Sequence, residues 1–420
     1  MIPIKSSAEQ YRLATKIAFW IIPIIICYSI IFRFALTFSN NELFQNINEA
    51  VSEGTVSNKV FWLIILGLTL FSWSVIRKEP SASFVLNTQS YLLFAYIAYS
   101  LISILWSDVT FISLRRSFQQ VIIVACMMMP FLLGLDHKEI LRKVSWIFAV
   151  FVLLNVALIP VFGIADFGYR GICPQKNILG QISAVAFFFC TYSTFTGALH
   201  IRRLFSLCSI LSIFLIVISN SKTSLGLILV VPILSYFLVL IGNTKDGLKK
   251  VFFGSLLVIS SGLISATFLL VPLSIYDVSE VIFNDRTFTG RTFIWDFASY
   301  YINKEPFFGY GFGSFWGVGV DTKAIGQGFI GGLLQAHNGY IDIVLDLGYL
   351  GLALATLYIV SLFGSVFSSS RDDQGLAILL LSCLLFVLLN NTMESSLFRG
   401  YTPLWVFFLF CSGITSRRKS

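Results

Sequence analysis

The chain has 420 residues, of which 56% are hydrophobic and only 12% are charged, and its formal net charge is +8. A soluble domain is nearer a quarter charged and could not bury this much apolar surface. The composition therefore excludes a soluble fold and leaves no soluble basic domain for nucleic acid, and we expect an all-α polytopic membrane protein.

Apolar runs long enough to cross a bilayer, roughly 17–25 residues each, recur along the chain. They predict about twelve transmembrane helices within one membrane domain, 1–420. The predicted spans are 17–36, 60–76, 89–106, 118–134, 144–163, 178–199, 204–219, 223–241, 251–274, 338–364, 375–391 and 402–415. The first run exceeds the roughly 7–15 apolar residues of a signal peptide, so we expect a retained span.

The distribution of lysine and arginine predicts the orientation. With the N-terminus in the cytoplasm and the spans alternating, both termini lie inside and the cytoplasmic loops are enriched in basic residues, as the positive-inside rule requires. Contact with anionic lipid accounts for most of that inner charge. It does not account for the outward basic residues, and an anionic ligand on the outer side would. These residues are Arg115, Arg116, Arg170, Lys176, Lys222, Arg286 and Arg291.

Two short polar segments precede predicted spans on the outer side. In YRGICPQKNILG, 169–180, Arg170, Lys176 and Asn177 flank a proline. This loop could bind a lipid-linked phosphate, or it could be an ordinary turn with solvated charge at the start of a helix. In SNSKTSLG, 219–226, the one charged residue is Lys222. That segment alone indicates only a short outer turn.

The segment 275–336 is predicted to be a large periplasmic loop between the ninth and tenth spans. Connections beyond about 12–15 residues are usually functional or disordered, and its many aromatic residues argue against disorder. Phe293, Phe297 and Tyr301 recur every fourth residue, which predicts an amphipathic helix with an aromatic side suited to the membrane interface. Arg291 at its start could hold phosphate with the helix N–H groups, or could extend to lipid headgroups.

The sequence GYGFGSFWG follows this predicted helix. Its glycines, Gly309, Gly311 and Gly313, form neither the dinucleotide fingerprint nor a P-loop. The spacing therefore favours a tight turn with close backbone packing over a phosphate-binding loop.

His337 is the one histidine of three that the predicted topology places on the outer side. An unperturbed imidazole has a pKa of about 6.5, which suits a general base near neutral pH, whereas many interfacial histidines are only structural. Asn338, Asp342 and Asp346 follow at steps of four and are expected to share one helix face. Carboxylates inside a span need a cavity or basic partners, so a polar site is predicted at this end of the helix.

Motifs for metal or covalent chemistry are missing from the sequence. There is no H-E-x-x-H, no D-x-D pair, no histidine cluster at ligand spacing and no nucleophile elbow. We therefore expect neither a metal nor a cofactor.

Several of these segments, taken in order, resemble the signature of the O-antigen ligase and polymerase superfamily. That superfamily includes Wzy-type repeat-unit polymerases, exopolysaccharide polymerases and lipopolysaccharide O-antigen ligases. The segments are LWSDVTFISLRRS, RGICPQKNILG, SNSKTSLG, TGRTFIWDFASYYINKEPFFGYGFGSFW, AHNGYIDIVLDLGYLGLAL and NNTMESSLF, and they cover roughly residues 100–400. The second of them looks most like the exopolysaccharide polymerase branch.

The resemblance implies an inverting glycosyltransferase of the bacterial inner membrane that faces the periplasm and needs no metal. The donor would be an undecaprenyl-pyrophosphate-linked oligosaccharide, and the acceptor a lipid-linked repeat unit or lipid A-core. A flippase and a chain-length regulator would be partners. His337 would be the base, and the donor pyrophosphate would be bound by Arg291 and Lys222, with Arg170, Lys176 and Arg286 as further candidates. Asn338, Asp342 and Asn177 would support the site.

The sequence leaves two alternatives open. Polymerase and O-antigen ligase share donor chemistry and differ in acceptor, so these motifs do not separate them, although lysine at position 222, where ligases commonly carry arginine, slightly disfavours a ligase. A transporter or lipid-glycan flippase would also have about twelve spans. Transporters carry charges at mid-membrane, whereas the notable charges here lie at outer ends of spans.

Overall fold

The computed structural model describes residues 7–35, 56–77, 86–165, 167–243, 291–316, 333–370, 372–400 and 402–416. Their regular structure is helical. In chain order the helices are α1 (Ser7–Ala35), α2 (Val56–Ile76), α3 (Thr88–Ile102), α4 (Thr110–Leu132), α5 (His137–Ala157), α6 (Ile159–Phe162), α7 (Lys176–Thr196), α8 (Leu199–Ile218), α9 (Lys222–Asn243), α10 (Arg291–Lys304), α11 (Gly339–Ser369), α12 (Gln374–Asn390) and α13 (Pro403–Ile414).

The chain is a multi-pass membrane protein. Within the described ranges, nine helices are long and apolar enough to cross a bilayer, namely α1 to α5, α7 to α9 and α11. The helices α12 and α13 are also apolar but shorter, at 17 and 12 residues. Together they correspond to eleven of the predicted spans. The predicted span 251–274 lies outside the described residues, so the total of twelve stays a prediction.

Several helices begin earlier than hydropathy predicts, most of all α1, which begins at Ser7 rather than 17. The helix α4 begins at Thr110 rather than 118, and α5 begins at His137 rather than 144, where Asp136 accepts a hydrogen bond from the Lys138 amide at 3.0 Å. Their first turns are polar and therefore invisible to an apolar window. As a result Arg116 lies on a helix, and its guanidinium donates to the Gly313 carbonyl.

The short helix α13 lies at the centre of the bundle. Every residue from Pro403 to Gly413 is buried, and the helix packs on α1, α4, α7 and α12. Twelve residues give a length of about 18 Å, well short of the roughly 30 Å hydrocarbon core.

The predicted amphipathic helix is confirmed as α10, Arg291–Lys304. Its buried face is Ile294, Ala298 and Tyr301, which cluster with aromatic residues of the following loop and with Leu345 of α11. Phe293, at one end of the predicted aromatic stripe, is 59% exposed instead. The helix therefore buries one side against protein, and its contact with the membrane interface stays a prediction.

The helix α11 is interrupted at Gly348, where φ is 65°. The glycine-rich loop after α10 fills the break. The amides of Tyr310 and Gly311 donate to the carbonyls of Leu345 and Asp346 at 2.9 and 2.8 Å, and the Tyr349 amide donates to the Pro306 carbonyl at 2.8 Å. Loop and helix therefore form one hydrogen-bonded unit.

The glycines of this loop are required by close packing, as the sequence predicts. Gly309 and Gly311 have positive φ, 65° and 97°. A Cβ at Gly309 would lie 2.6 Å from the Leu345 carbonyl oxygen, and one at Gly311 would lie 2.6 Å from the Ser107 side chain. The loop is thus a tight turn pressed against α11 and the segment before α4.

Candidate active site

His337 lies in the turn that leads into α11. Its φ is 52°, a left-handed conformation that few non-glycine residues adopt. Asn338 then caps the helix, because its side-chain oxygen accepts from the amides of Tyr340 and Ile341 at 3.0 and 3.3 Å. Its carbonyl also accepts from the Asp342 amide at 3.1 Å, so Asn338 lies one turn before Asp342. Asn338 precedes the helix and fixes where it starts, beside the imidazole.

Three of the predicted site residues meet at Glu394, in the connection between α12 and α13. His337 Nδ1 lies 3.1 Å from Glu394 Oε2. Arg291 Nη2 lies 3.3 Å from Glu394 Oε1, and the Asn177 amide donates to the same oxygen at 3.3 Å. The carboxylate thus joins α7, α10 and the turn before α11, which lie far apart in the sequence.

The charge of this cluster depends on Glu394. Burial by itself would raise the pKa of the Glu394 carboxyl, but the hydrogen bond and charge of His337, the Arg291 guanidinium and the Asn177 amide together lower that pKa below its usual value. Glu394 is therefore an anion at neutral pH and accepts hydrogen bonds only. A neutral imidazole facing it carries its proton on Nδ1, which leaves the Nε2 lone pair as the basic site. The imidazole side chain is 32% exposed, so it is accessible to a substrate.

A second ion pair lies behind the imidazole. Arg399 Nη1 lies 3.2 Å from Asp342 Oδ2, and Asp342 is only 6% exposed. The other oxygen, Asp342 Oδ1, accepts from the Trp316 indole at 2.7 Å and from the Ala336 amide at 2.9 Å. Asp342 therefore has the basic partner that a carboxylate in a span requires. That partner is not one of the outward arginines singled out from the sequence.

This ion pair also holds the backbone that carries His337. Arg399 donates to the Leu334 carbonyl at 2.7 Å and to Gln335 Oε1 at 3.1 Å. The Gln335 amide nitrogen lies 3.2 Å from His337 Nδ1 and 3.4 Å from Glu394 Oε2. The segment 334–337 is thus fixed from both sides, by backbone contacts and by the Gln335 side chain.

The remaining predicted site residues lie apart from this cluster. Lys176 Nζ donates to the Phe167 carbonyl at 2.7 Å, and Arg170 and Lys222 are exposed. Among the described residues, no hydrogen bond or ion pair joins these three to His337 or Glu394. They nevertheless lie at the same end of the bundle, since Lys176 precedes Asn177 and Ser221 is close against Gly180 of α7. Arg286 lies outside the described residues.

Sequence reasoning missed Glu394, Arg399 and Gln335. A signal for the first two was present, because two opposite charges occur in a short connection between two very apolar spans. That placement is costly unless the charges find partners within the protein. Nothing in the sequence distinguishes Gln335 from other polar loop residues.

The cluster combines a base with a cation. A partly exposed imidazole lies beside an anion that fixes its tautomer, and a guanidinium from a helix N-terminus lies across the same carboxylate. Such a pair can take a proton from a hydroxyl and stabilise negative charge that develops on a leaving group.

The chain is similar to known proteins of polysaccharide synthesis. The O-antigen ligase family model matches residues 207–356. The exopolysaccharide production protein ExoQ of Rhizobium meliloti (strain 1021) is 23% identical over 367 residues, covering 79% of this chain and 83% of ExoQ. The resemblance to the O-antigen ligase and polymerase superfamily is thereby confirmed. The matches support a membrane protein of polysaccharide polymerase or ligase type.

Proposed function

We propose that this chain is a membrane glycosyltransferase that polymerises surface-polysaccharide repeat units from an undecaprenyl-pyrophosphate-linked donor. The observation that carries the proposal is the meeting of His337 and Arg291 at Glu394. The site would face the periplasm, at the end of the bundle where α7, α9 and α11 begin. The flippase and chain-length regulator of such a pathway would be its partners.

His337 acts as the general base in this proposal. A sugar hydroxyl is a poor nucleophile, and a positioned base contributes about 10²–10⁴-fold to its reaction. His337 Nε2 takes the proton of the acceptor hydroxyl while that oxygen attacks the anomeric carbon of the donor. The bond from this carbon to the pyrophosphate oxygen breaks as the new glycosidic bond forms, so the configuration inverts. Glu394 stabilises the resulting imidazolium through Nδ1–H.

Arg291 stabilises the leaving pyrophosphate. Negative charge develops on the phosphate oxygen as the glycosyl bond breaks, and a nearby guanidinium lowers the energy of that state. Arg291 pairs with Glu394 in the structure. A pyrophosphate carries more charge than a carboxylate, so donor binding would draw the guanidinium toward phosphate. Lys222, Arg170, Lys176 and Arg286 would supply further positive charge along the donor's path.

The polymerase assignment rests on the relative rather than on geometry. ExoQ is named for exopolysaccharide production, and the similarity spans most of both chains. The alternative is an O-antigen ligase that transfers the glycan to lipid A-core, which the description of the matched family favours. Lysine at position 222 gives up the bidentate phosphate contact of an arginine. A flippase or transporter is a more distant alternative.

The experiment is glycan transfer by purified protein in nanodiscs. Undecaprenyl-pyrophosphate repeat units extracted from the host are supplied alone and then with lipid A-core, and products are separated on a gel. A ladder from repeat units alone establishes a polymerase, and transfer only with core establishes a ligase. If no glycan is transferred to either acceptor, the result would favour a transporter over a glycosyltransferase.

The matched variants are His337→Asn and His200→Asn. Asparagine tolerates the left-handed backbone of position 337, so this change removes the base and retains the turn. We expect His337→Asn to lower the rate about 10²–10⁴-fold. His200 is exposed at the start of α8, and its substitution should leave the rate unchanged. Full activity of a correctly inserted His337→Asn protein would refute the base assignment.

A further inference from the structure

A polar cleft adjoins the Glu394 cluster. It lies between the start of α7, the segment after Glu394 and the start of α13, and it is partly open to solvent. The polar side chains that line it are Gln175, Asn177, Gln181, Gln335, Glu394, Ser395, Ser396 and Thr402.

The chemistry of this lining selects the ligand class. Among the described lining residues, Glu394 is the one ionisable side chain, and the others that are polar carry amides or hydroxyls. An anion in the cleft would be repelled by the Glu394 carboxylate, and no lysine or arginine among these lining residues would offset the repulsion. A phosphate ligand is therefore disfavoured. Amides present both donors and acceptors, as do the hydroxyls of a sugar. The cleft therefore matches an uncharged, hydroxyl-rich ring.

Ser395 gives a second, independent indication of a ligand. Its side chain lines the cleft and is 4% exposed, and its hydroxyl makes no hydrogen bond with the described residues. A buried polar group without a partner is destabilising, and such groups in native proteins usually have a functional reason. The Ser395 oxygen is itself buried, so a sugar hydroxyl in the cleft would supply the missing partner once the side chain turns toward it.

The cleft is connected to the proposed base. Gln335 and Glu394 line it, and both contact His337 Nδ1, at 3.2 and 3.1 Å. We propose that the cleft is a subsite for an uncharged sugar of the glycan substrate, next to the sugar that reacts at His337. This inference rests on the proposed glycosyltransferase function and adds the place where the substrate's glycan is recognised.

The first test uses Ser395→Ala with Ser183→Ala as its control. Ser183 is also a buried hydroxyl without a partner among the described residues, and it lies on α7 without lining the cleft. Removing either hydroxyl should leave thermal stability equal or higher, because neither is satisfied in the structure. Only Ser395→Ala should raise a glycan KM, by about tenfold, the effect of one hydrogen bond.

The second test uses Gln181→Leu with Gln374→Leu as its control. Gln374 is exposed at the start of α12, at the opposite end of that helix from Glu394. We expect Gln181→Leu to raise the same KM about tenfold or more with kcat within threefold. Gln374→Leu should change neither parameter.

The assay separates donor from acceptor. Host-extracted undecaprenyl-pyrophosphate repeat unit is the donor, and the same repeat unit on a short fluorescent lipid is the acceptor, each titrated with the other saturating. A rise in acceptor KM places the acceptor's sugar in the cleft, and a rise in donor KM places the donor's. Unchanged KM values in both cleft variants would overturn the subsite. Failure of the wild-type protein to transfer any glycan would instead refute the proposed function.

Discussion

Glu394 couples the protonation of the site to its stability. Its carboxyl has a pKa lowered in the folded protein, because contacts with His337, Arg291 and Asn177 outweigh the effect of burial. A lowered pKa contributes stability above the unfolded-state value, about 4.3 for glutamate, and this contribution is lost as the pH falls through the folded-state value. The ionised carboxylate is therefore part of what holds three segments together.

We predict that Glu394→Gln flattens this pH dependence. In wild-type protein the unfolding temperature should fall as the pH drops below about 4.3, and the variant should lose less over that range. It should also lower the transfer rate about 10²-fold or more at neutral pH, because the imidazolium loses its counter-charge.

The control for this change is Glu139→Gln. Glu139 pairs with Lys143 at 2.8 Å on α5, and its side chain is 37% exposed. Pairs of this kind, four residues apart on one helix, contribute only about 0.3–0.5 kcal/mol to stability. If both variants showed the same pH dependence, Glu394 would not be the coupled group.

Side-chain pairing is the part of the site that the sequence could not predict. The spacing of aromatic residues placed Arg291 at a helix start, and hydropathy placed His337 at the end of a span. Both positions follow from local periodicity. Their common partner Glu394 is 57 residues from His337 and 103 from Arg291. Helix packing decides which distant charged residue becomes the partner of His337 and Arg291. That packing cannot be derived from a single sequence.

Among the elements, the interrupted helix α11 is the most constrained. A Cβ on Gly348 would collide with the Phe307 carbonyl group, and the positive φ is itself unfavourable for other residues. Hydropathy predicted an unbroken span over 338–364, because it registers apolar content and not backbone direction. The loop 306–311 forms hydrogen bonds with the backbone at the break, and hydropathy along a single span carries no information about that loop.

We predict that Gly348→Ala destabilises the protein whereas Gly364→Ala does not. The first change adds left-handed strain of about 1–2 kcal/mol and a collision with the loop. A Cβ on Gly364, on the same helix, meets nothing within 4 Å, and alanine favours a helix over glycine by up to about 1 kcal/mol. Unfolding temperatures in detergent, followed by size-exclusion chromatography, measure both. Equal temperatures for the two variants would contradict this account of the break.

At the scale of the whole molecule, the proposed orientation can be tested across one helix. Position 200 is exposed at the start of α8. Position 222 is exposed at the start of α9, directly after the turn that joins α8 to α9. The proposed topology puts position 222 in the periplasm and position 200 in the cytoplasm.

We predict that a membrane-impermeant maleimide labels Lys222→Cys in intact cells but labels His200→Cys only after permeabilisation. The native thiols make a low background, since six of the seven cysteines are buried and Cys27 is half-buried. The reverse labelling pattern would contradict the proposed orientation, because it would place the termini in the periplasm and the site in the cytoplasm.

The interruption in α11 also bears on how the chain enters the membrane. An isolated segment 339–369 would present unpaired backbone groups around Gly348 to hydrocarbon, where each costs several kcal/mol. The loop that pairs with them, 306–311, is synthesised first. Stable insertion of α11 therefore depends on a segment that has already been translated, and we infer that the loop and the span reach their final places together rather than in separate steps.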